Sequence, residues 1–89
     1  MKIKQGFVTR QVFGRTVVVA TGELYKKFGG MITLNNTGAD IWEWISKGST
    51  EQECAVKLTE KYEVSMETAV NDVSKFIGQM SEAGVFEEK

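Results

Sequence analysis

Along this chain of 89 residues the spacing of apolar positions changes once, near residue 35. Before that point they come in short runs with a period close to two; after it they recur every three or four residues. In the first part, Phe7, Val8, Val12 and Phe13 mark one strand. Gly14-Arg15 predicts a tight hairpin connection, and Thr16-Val17-Val18-Val19-Ala20 is a β-branched run suited to a more buried second strand. Thr21-Gly22 ends it, residues 23–28 read as a mobile excursion, and Gly29-Gly30 turns the chain into a third strand, Met31-Ile32-Thr33-Leu34.

The helical pattern begins with Asn35, whose side-chain oxygen can accept an unpaired amide of the first turn. Ile41, Trp42 and Ile45 share one face of this helix, with Trp44 at its border, and Lys47-Gly48 suits its end. Thr50 and Glu53 have capping-box spacing at the start of a second helix, whose apolar face is Cys54, Ala55, Leu58 and Tyr62. Ser65 caps a third. Met66, Ala69, Val70, Val73, Phe76, Ile77 and Met80 give that helix an apolar stripe wider than one packing seam requires. Gly84 ends it, and Val85-Phe86 is expected to fold back as a hydrophobic clasp. The expected fold is therefore α+β and winged helix-turn-helix-like. An N-terminal three-stranded antiparallel β-sheet (residues 1–34) precedes a three-helix bundle (residues 35–86) in one domain spanning 1–89.

Composition narrows the functions. A chain this short buries only about 60–65% of the surface of its unfolded form, leaving room for one core and a shallow groove. One cysteine, Cys54, excludes an intramolecular disulfide, and there is no histidine. Zinc sites, cysteine–histidine pairs and serine triads need residues that are missing. Asp and Glu number twelve, but none sits in a segment that reads as a cleft. The expectation is a non-catalytic protein without metal or cofactor. No apolar run approaches the roughly 20 residues of a membrane span, and Met1-Lys2-Ile3-Lys4 leads into no signal-peptide core, so a cytoplasmic location and no membrane partner are expected.

Charge is uneven. Residues 1–34 carry Lys2, Lys4, Arg10, Arg15, Lys26 and Lys27 against Glu23 alone, a balance of +5; residues 35–89 balance at −6. The extended half can steer an acidic partner, less so as salt screens it; chance in a small protein explains the asymmetry equally well.

At the change of period stands Leu34-Asn35-Asn36-Thr37-Gly38-Ala39-Asp40-Ile41-Trp42. Behind it, in order, come Thr50-Glu51-Gln52-Glu53, Leu58 with Tyr62, Asp72-Val73 with Phe76-Ile77, and Gly84-Val85-Phe86. In order and spacing these pieces resemble the PqqD-like family, small domains that present precursor peptides to modifying enzymes, one of them in pyrroloquinoline quinone biosynthesis. The resemblance implies the same winged architecture and a leader peptide held on the third strand and third helix. It also implies a separate maturase, most often a radical S-adenosylmethionine enzyme of the SPASM type, whose iron–sulfur clusters belong to that partner.

The residues themselves suit such a site. A strand that is last in its sheet leaves one row of N–H and C=O groups open, and the segment Val85-Phe86-Glu87 is the only other candidate to cover it. Met31, Ile32, Thr33 and Leu34 are the expected edge, and Val70, Val73 and Ile77 the expected facing wall. Which amides of the strand point outward depends on a register that the sequence leaves open. Trp42 and Cys54 read better as core than as ligand-binding groups, and Asp72 as either a ligand contact or a solvated side chain. The rival reading is a winged-helix DNA-binding regulator. Its recognition helix, residues 66–83, carries Glu67, Asp72 and Glu82 against Lys75 alone, which disfavours phosphate contact, so no nucleic-acid partner is expected.

Overall fold

Val12 pairs with Arg15, so the turn between the first two strands falls one residue earlier than the expected Gly14-Arg15 and consists of Phe13 and Gly14 alone. Both have positive φ, +50° and +77°, as a two-residue turn that follows the twist of its strands requires. Phe13 therefore leaves the strand to which its apolar character assigned it, and its side chain stands fully in solvent. In this computed structural model, which describes residues 2–27 and 30–87, the strands are β1 (Phe7–Val12), β2 (Arg15–Ala20) and β3 (Met31–Leu34). They form an antiparallel sheet in the order β1-β2-β3. Between β2 and β3 the expected irregular excursion contains a 3-10 helix, Gly22–Lys26; Gly29 and the turn expected there lie outside the described residues.

Helices α1 (Asn36–Ser46), α2 (Glu51–Tyr62) and α3 (Met66–Glu82) follow. Each starts where a side chain accepts an orphan amide. Asn35 Oδ1 accepts from Gly38 N at 2.7 Å, and Ser65 Oγ accepts from Thr68 N at 3.2 Å. Thr50 and Glu53 satisfy one another's amides reciprocally. Gly48, at φ +99°, follows the end of α1, in the left-handed position that favours glycine.

Alternation along the strands puts Val18, Ile32 and Leu34 on the helix-facing side of the sheet. They meet Ile41, Trp42, Ile45, Leu58, Val73 and Phe76 in one core. Trp42 is a core residue, and Trp44, half-buried, has the Lys57 ammonium 5.7 Å from its ring centroid. Tyr62 departs from the expected apolar face of α2. It lies at the helix end, 36% exposed, and its hydroxyl donates to Asp40, which also binds Lys61 Nζ at 2.9 Å. After α3 the chain folds back as the clasp: Val85 is wholly buried, and Phe86 forms an antiparallel bridge with Ile3.

Candidate binding groove

That bridge decides what happens at the edge of the sheet. Lys4 N donates to Val85 O at 2.8 Å and Glu87 N to Lys2 O at 2.7 Å, so the C-terminal segment pairs with residues 2–4 and not with β3. Among the described residues no strand lies beside β3 on its outer side.

The orientation of the free groups follows from the other end of the sheet. Thr21 N donates to Gly6 O at 2.7 Å, so the backbone of Thr21 faces β1. In an antiparallel ladder the facing direction alternates residue by residue. Val19 and Val17 thus face β1 as well, whereas Thr16 and Val18 face β3. Their partners are Leu34 and Ile32, which spend their backbone groups on β2. Met31 and Thr33 are left with N–H and C=O directed to the open edge. Their side chains lie on the outer face of the sheet, and those of Ile32 and Leu34 point inward beside α3.

Between this edge and α3 runs a groove of about 340 Å³. Ile32, Thr33 and Leu34 form one wall; Asp72, Lys75, Phe76, Gln79 and Met80 of α3 form the other. Asn35, Thr37, Gly38 and Ile41, from the start of α1, close one part of it. The floor is apolar and mostly core: Leu34, Ile41, Phe76 and Met80 are all buried. Gly38 explains how close the floor approaches α1. A Cβ there would lie 3.1 Å from Asn35 Oδ1 and 3.2 Å from the Phe76 ring, so any side chain at this position would require the cap oxygen and the ring to give by a few tenths of an ångström.

The four strand positions singled out in the sequence are together at this edge, but the expected α3 positions are not in the groove. Val73 is wholly buried, Ile77 packs on the core, and Val70 is 48% exposed elsewhere. At 100° per residue, Ala69, Val73 and Met80 define the core direction of α3. Met66, Val70 and Ile77 lie on one flank of that direction, and Asp72, Lys75 and Gln79 on the other. The surplus width of the apolar stripe thus belongs to the flank away from β3. Asp72, for which the sequence leaves ligand contact and solvation open, lines the groove; Lys75 and Gln79, which were missed, carry a weaker signal, polar side chains at i+3 and i+7 from Asp72 beside Phe76. Among the described residues neither Asp72 nor Lys75 uses its side chain in a hydrogen bond or ion pair, so both rim charges are available to a ligand.

The arrangement suits binding. No group of three or more His, Cys, Asp or Glu able to hold a metal occurs among the described residues. Burial pushes the Cys54 thiol up, away from the reactive thiolate.

A family profile described as Coenzyme PQQ synthesis protein D (PqqD) matches residues 15–85 of the chain. No curated protein matches it significantly. Two solved structures share the fold. One, described as TbiB1 in complex with the TbiA(beta) leader peptide, has a TM-score of 0.82 at 20% identity, over 100% of this chain and 98% of that one. The other, a lasso peptide synthetase B1 complexed with the leader peptide, has a TM-score of 0.81 at 22% identity, over 98% and 96%.

Proposed function

Because the chain belongs to the family of coenzyme PQQ synthesis protein D, we propose that it binds the leader of a ribosomally made precursor peptide and presents it to a separate modifying enzyme. The open β3 edge beside an apolar-floored groove carries this reading. The leader adds as a fourth strand, taking its register from backbone bonds and its specificity from side chains in the groove. Two proteins of the same fold are described as complexes with leader peptides, which supports the choice of ligand.

Magnitudes require both components. Met31 and Thr33 offer two donors and two acceptors, and four bonds at about 0.5–1.5 kcal/mol each give roughly 2–6 kcal/mol. Micromolar affinity needs about 8 kcal/mol, beyond the cost of ordering a flexible peptide. Alternate residues of the added strand point inward beside Ile32 and Leu34. Two apolar side chains buried there, at roughly 1.5–3 kcal/mol each, supply the difference.

The whole chain acts as one non-catalytic recognition domain. The enzyme it serves is a radical S-adenosylmethionine maturase of the SPASM type, which brings its own iron–sulfur clusters; a chain with one buried cysteine and no histidine has no ligand set for them. No helix among the described residues is long and apolar enough to cross a membrane, and we place the protein in the cytoplasm.

Titration of the isotope-labelled protein with its leader peptide, followed by amide chemical shifts, tests the site. The largest changes are expected at residues 30–35 and at Asp72, Lys75, Phe76 and Gln79. Changes concentrated at Met66, Val70 and α2 would place the peptide on the wrong flank of α3 for this account.

A further inference from the structure

The β1–β2 turn breaks a local rule. Two-residue turns of its kind usually carry asparagine or aspartate followed by glycine, because both positions need positive φ. Gly14 conforms, but the first position holds Phe13 at φ +50°. A bulky aromatic in the left-handed region is an outlier that persists for a reason. Packing is not the reason, for Phe13 is 102% exposed. Val12 beside it is 37% exposed, and Arg10 and Arg15 lie on the same outer face of the sheet. Neither arginine makes an ion pair among the described residues.

We propose that the hairpin tip is the docking anchor for a second protein, the enzyme that modifies the peptide held in the groove, which receives Phe13 in an apolar pocket rimmed by carboxylates. This rests on the peptide-presenting role argued above. Exposed aromatic and arginine side chains are the residue types that dominate binding at protein interfaces. The two arginines, in a half of the chain balanced at +5, call for an acidic rim. The place is also suitable. Thr16 lies opposite Leu34, and two further residues lead to the tip, so it projects about 7 Å past that end of the β3 edge. A protein gripping the tip sits beside one end of the bound peptide and leaves the edge uncovered.

Other occupants fit less well. In a second copy of the chain, the exposed apolar residues of the acidic half are Val56, Tyr62, Met66 and Val70. Of these only Val56 borders a hollow, and the other residues lining it, Thr50, Gln52, Glu53, Lys57 and Glu60, are polar or charged, so it offers an aromatic ring no apolar pocket. Contact between two unlike faces would also propagate into open filaments or rings. An anionic membrane asks for a larger basic cluster than two arginines.

Phe13→Asn tests the proposal, because asparagine accepts the left-handed backbone and preserves the turn. The probe is a purified radical S-adenosylmethionine maturase that modifies the bound precursor, titrated with wild type, Phe13→Asn and Arg15→Glu by calorimetry. Leader affinity, melting temperature, sedimentation and binding to phosphatidylglycerol vesicles are measured on the same samples. Phe13→Asn should weaken enzyme binding at least tenfold and Arg15→Glu severalfold, with leader affinity within twofold of wild type and no loss of melting temperature. Enzyme affinity unchanged in Phe13→Asn, or no binding of the enzyme by wild type, overturns the proposal. So does an effect confined to self-association or to vesicles. If wild type fails to bind the leader while Phe13→Asn still releases the enzyme, the groove reading fails and the docking anchor stands.

Discussion

Three residues show how closely scaffold and groove are joined. Trp42, in the second half of α1, belongs to the core, and Trp42→Ala should cost about 3–5 kcal/mol, comparable with the whole stability of so small a domain. Urea unfolding should show a lost or severely weakened cooperative transition. Phe76 belongs to that core and is also the groove floor, which makes Gly38 a control on both. Gly38→Val forces side-chain carbons against the Asn35 cap and the Phe76 ring, where a single Cβ already lies within 3.1–3.2 Å. Overpacking of this kind costs about 1–3 kcal/mol. The displaced ring should lower leader affinity even at temperatures where the variant remains folded, as paired melting and titration experiments would show.

Elements were legible in the sequence in proportion to how local their causes are. The starts of α1, α2 and α3 are each set by a side chain reaching an amide a few residues away, so Asn35, Thr50 and Ser65 were readable without any tertiary information. The facing of α3 was not. Its periodicity marks the stripe through Ala69, Val73 and Met80, but whether β3 lies beside Val70 or beside Asp72 depends on how sheet and helices pack. Phe13 misled for a different reason: an apolar residue at a strand end counts as strand unless the two-residue turn is already known.

Contact between α1 and α2 had no local signature either. Asp40 accepts from Tyr62 and Lys61, and these bonds raise the pKa of both groups, their hydrogen bonds to Asp40 being the largest cause. A raised folded-state pKa contributes stability that is complete below the unfolded value, about 10 for both types, and is lost as pH rises through the folded value. Asp40→Asn should therefore melt below wild type by a constant margin at neutral pH. That margin should shrink above about pH 10.

At the scale of the molecule, charge separates this winged fold from its nucleic-acid-binding counterparts. The helix that would enter a major groove presents Glu67, Asp72 and Glu82 against Lys75, a balance of −2. Duplex DNA of any sequence should bind no more tightly than the weak non-specific range, about 0.1 mM at physiological salt, when followed by fluorescence anisotropy. Submicromolar, sequence-dependent binding would reverse the assignment.

The central claim is that β3 accepts a fourth strand, and leader affinity measured on two proline variants tests it most directly. Thr33 directs its amide to the open edge and Ile32 directs its amide to β2. Proline deletes the amide and obstructs a pairing strand, and it is tolerated at an edge position facing outward. Thr33→Pro should keep a cooperative melting transition and lose leader affinity by at least tenfold, whereas Ile32→Pro should lower the melting temperature itself. A Thr33→Pro variant that folds and binds the leader as tightly as wild type would contradict strand addition at this edge.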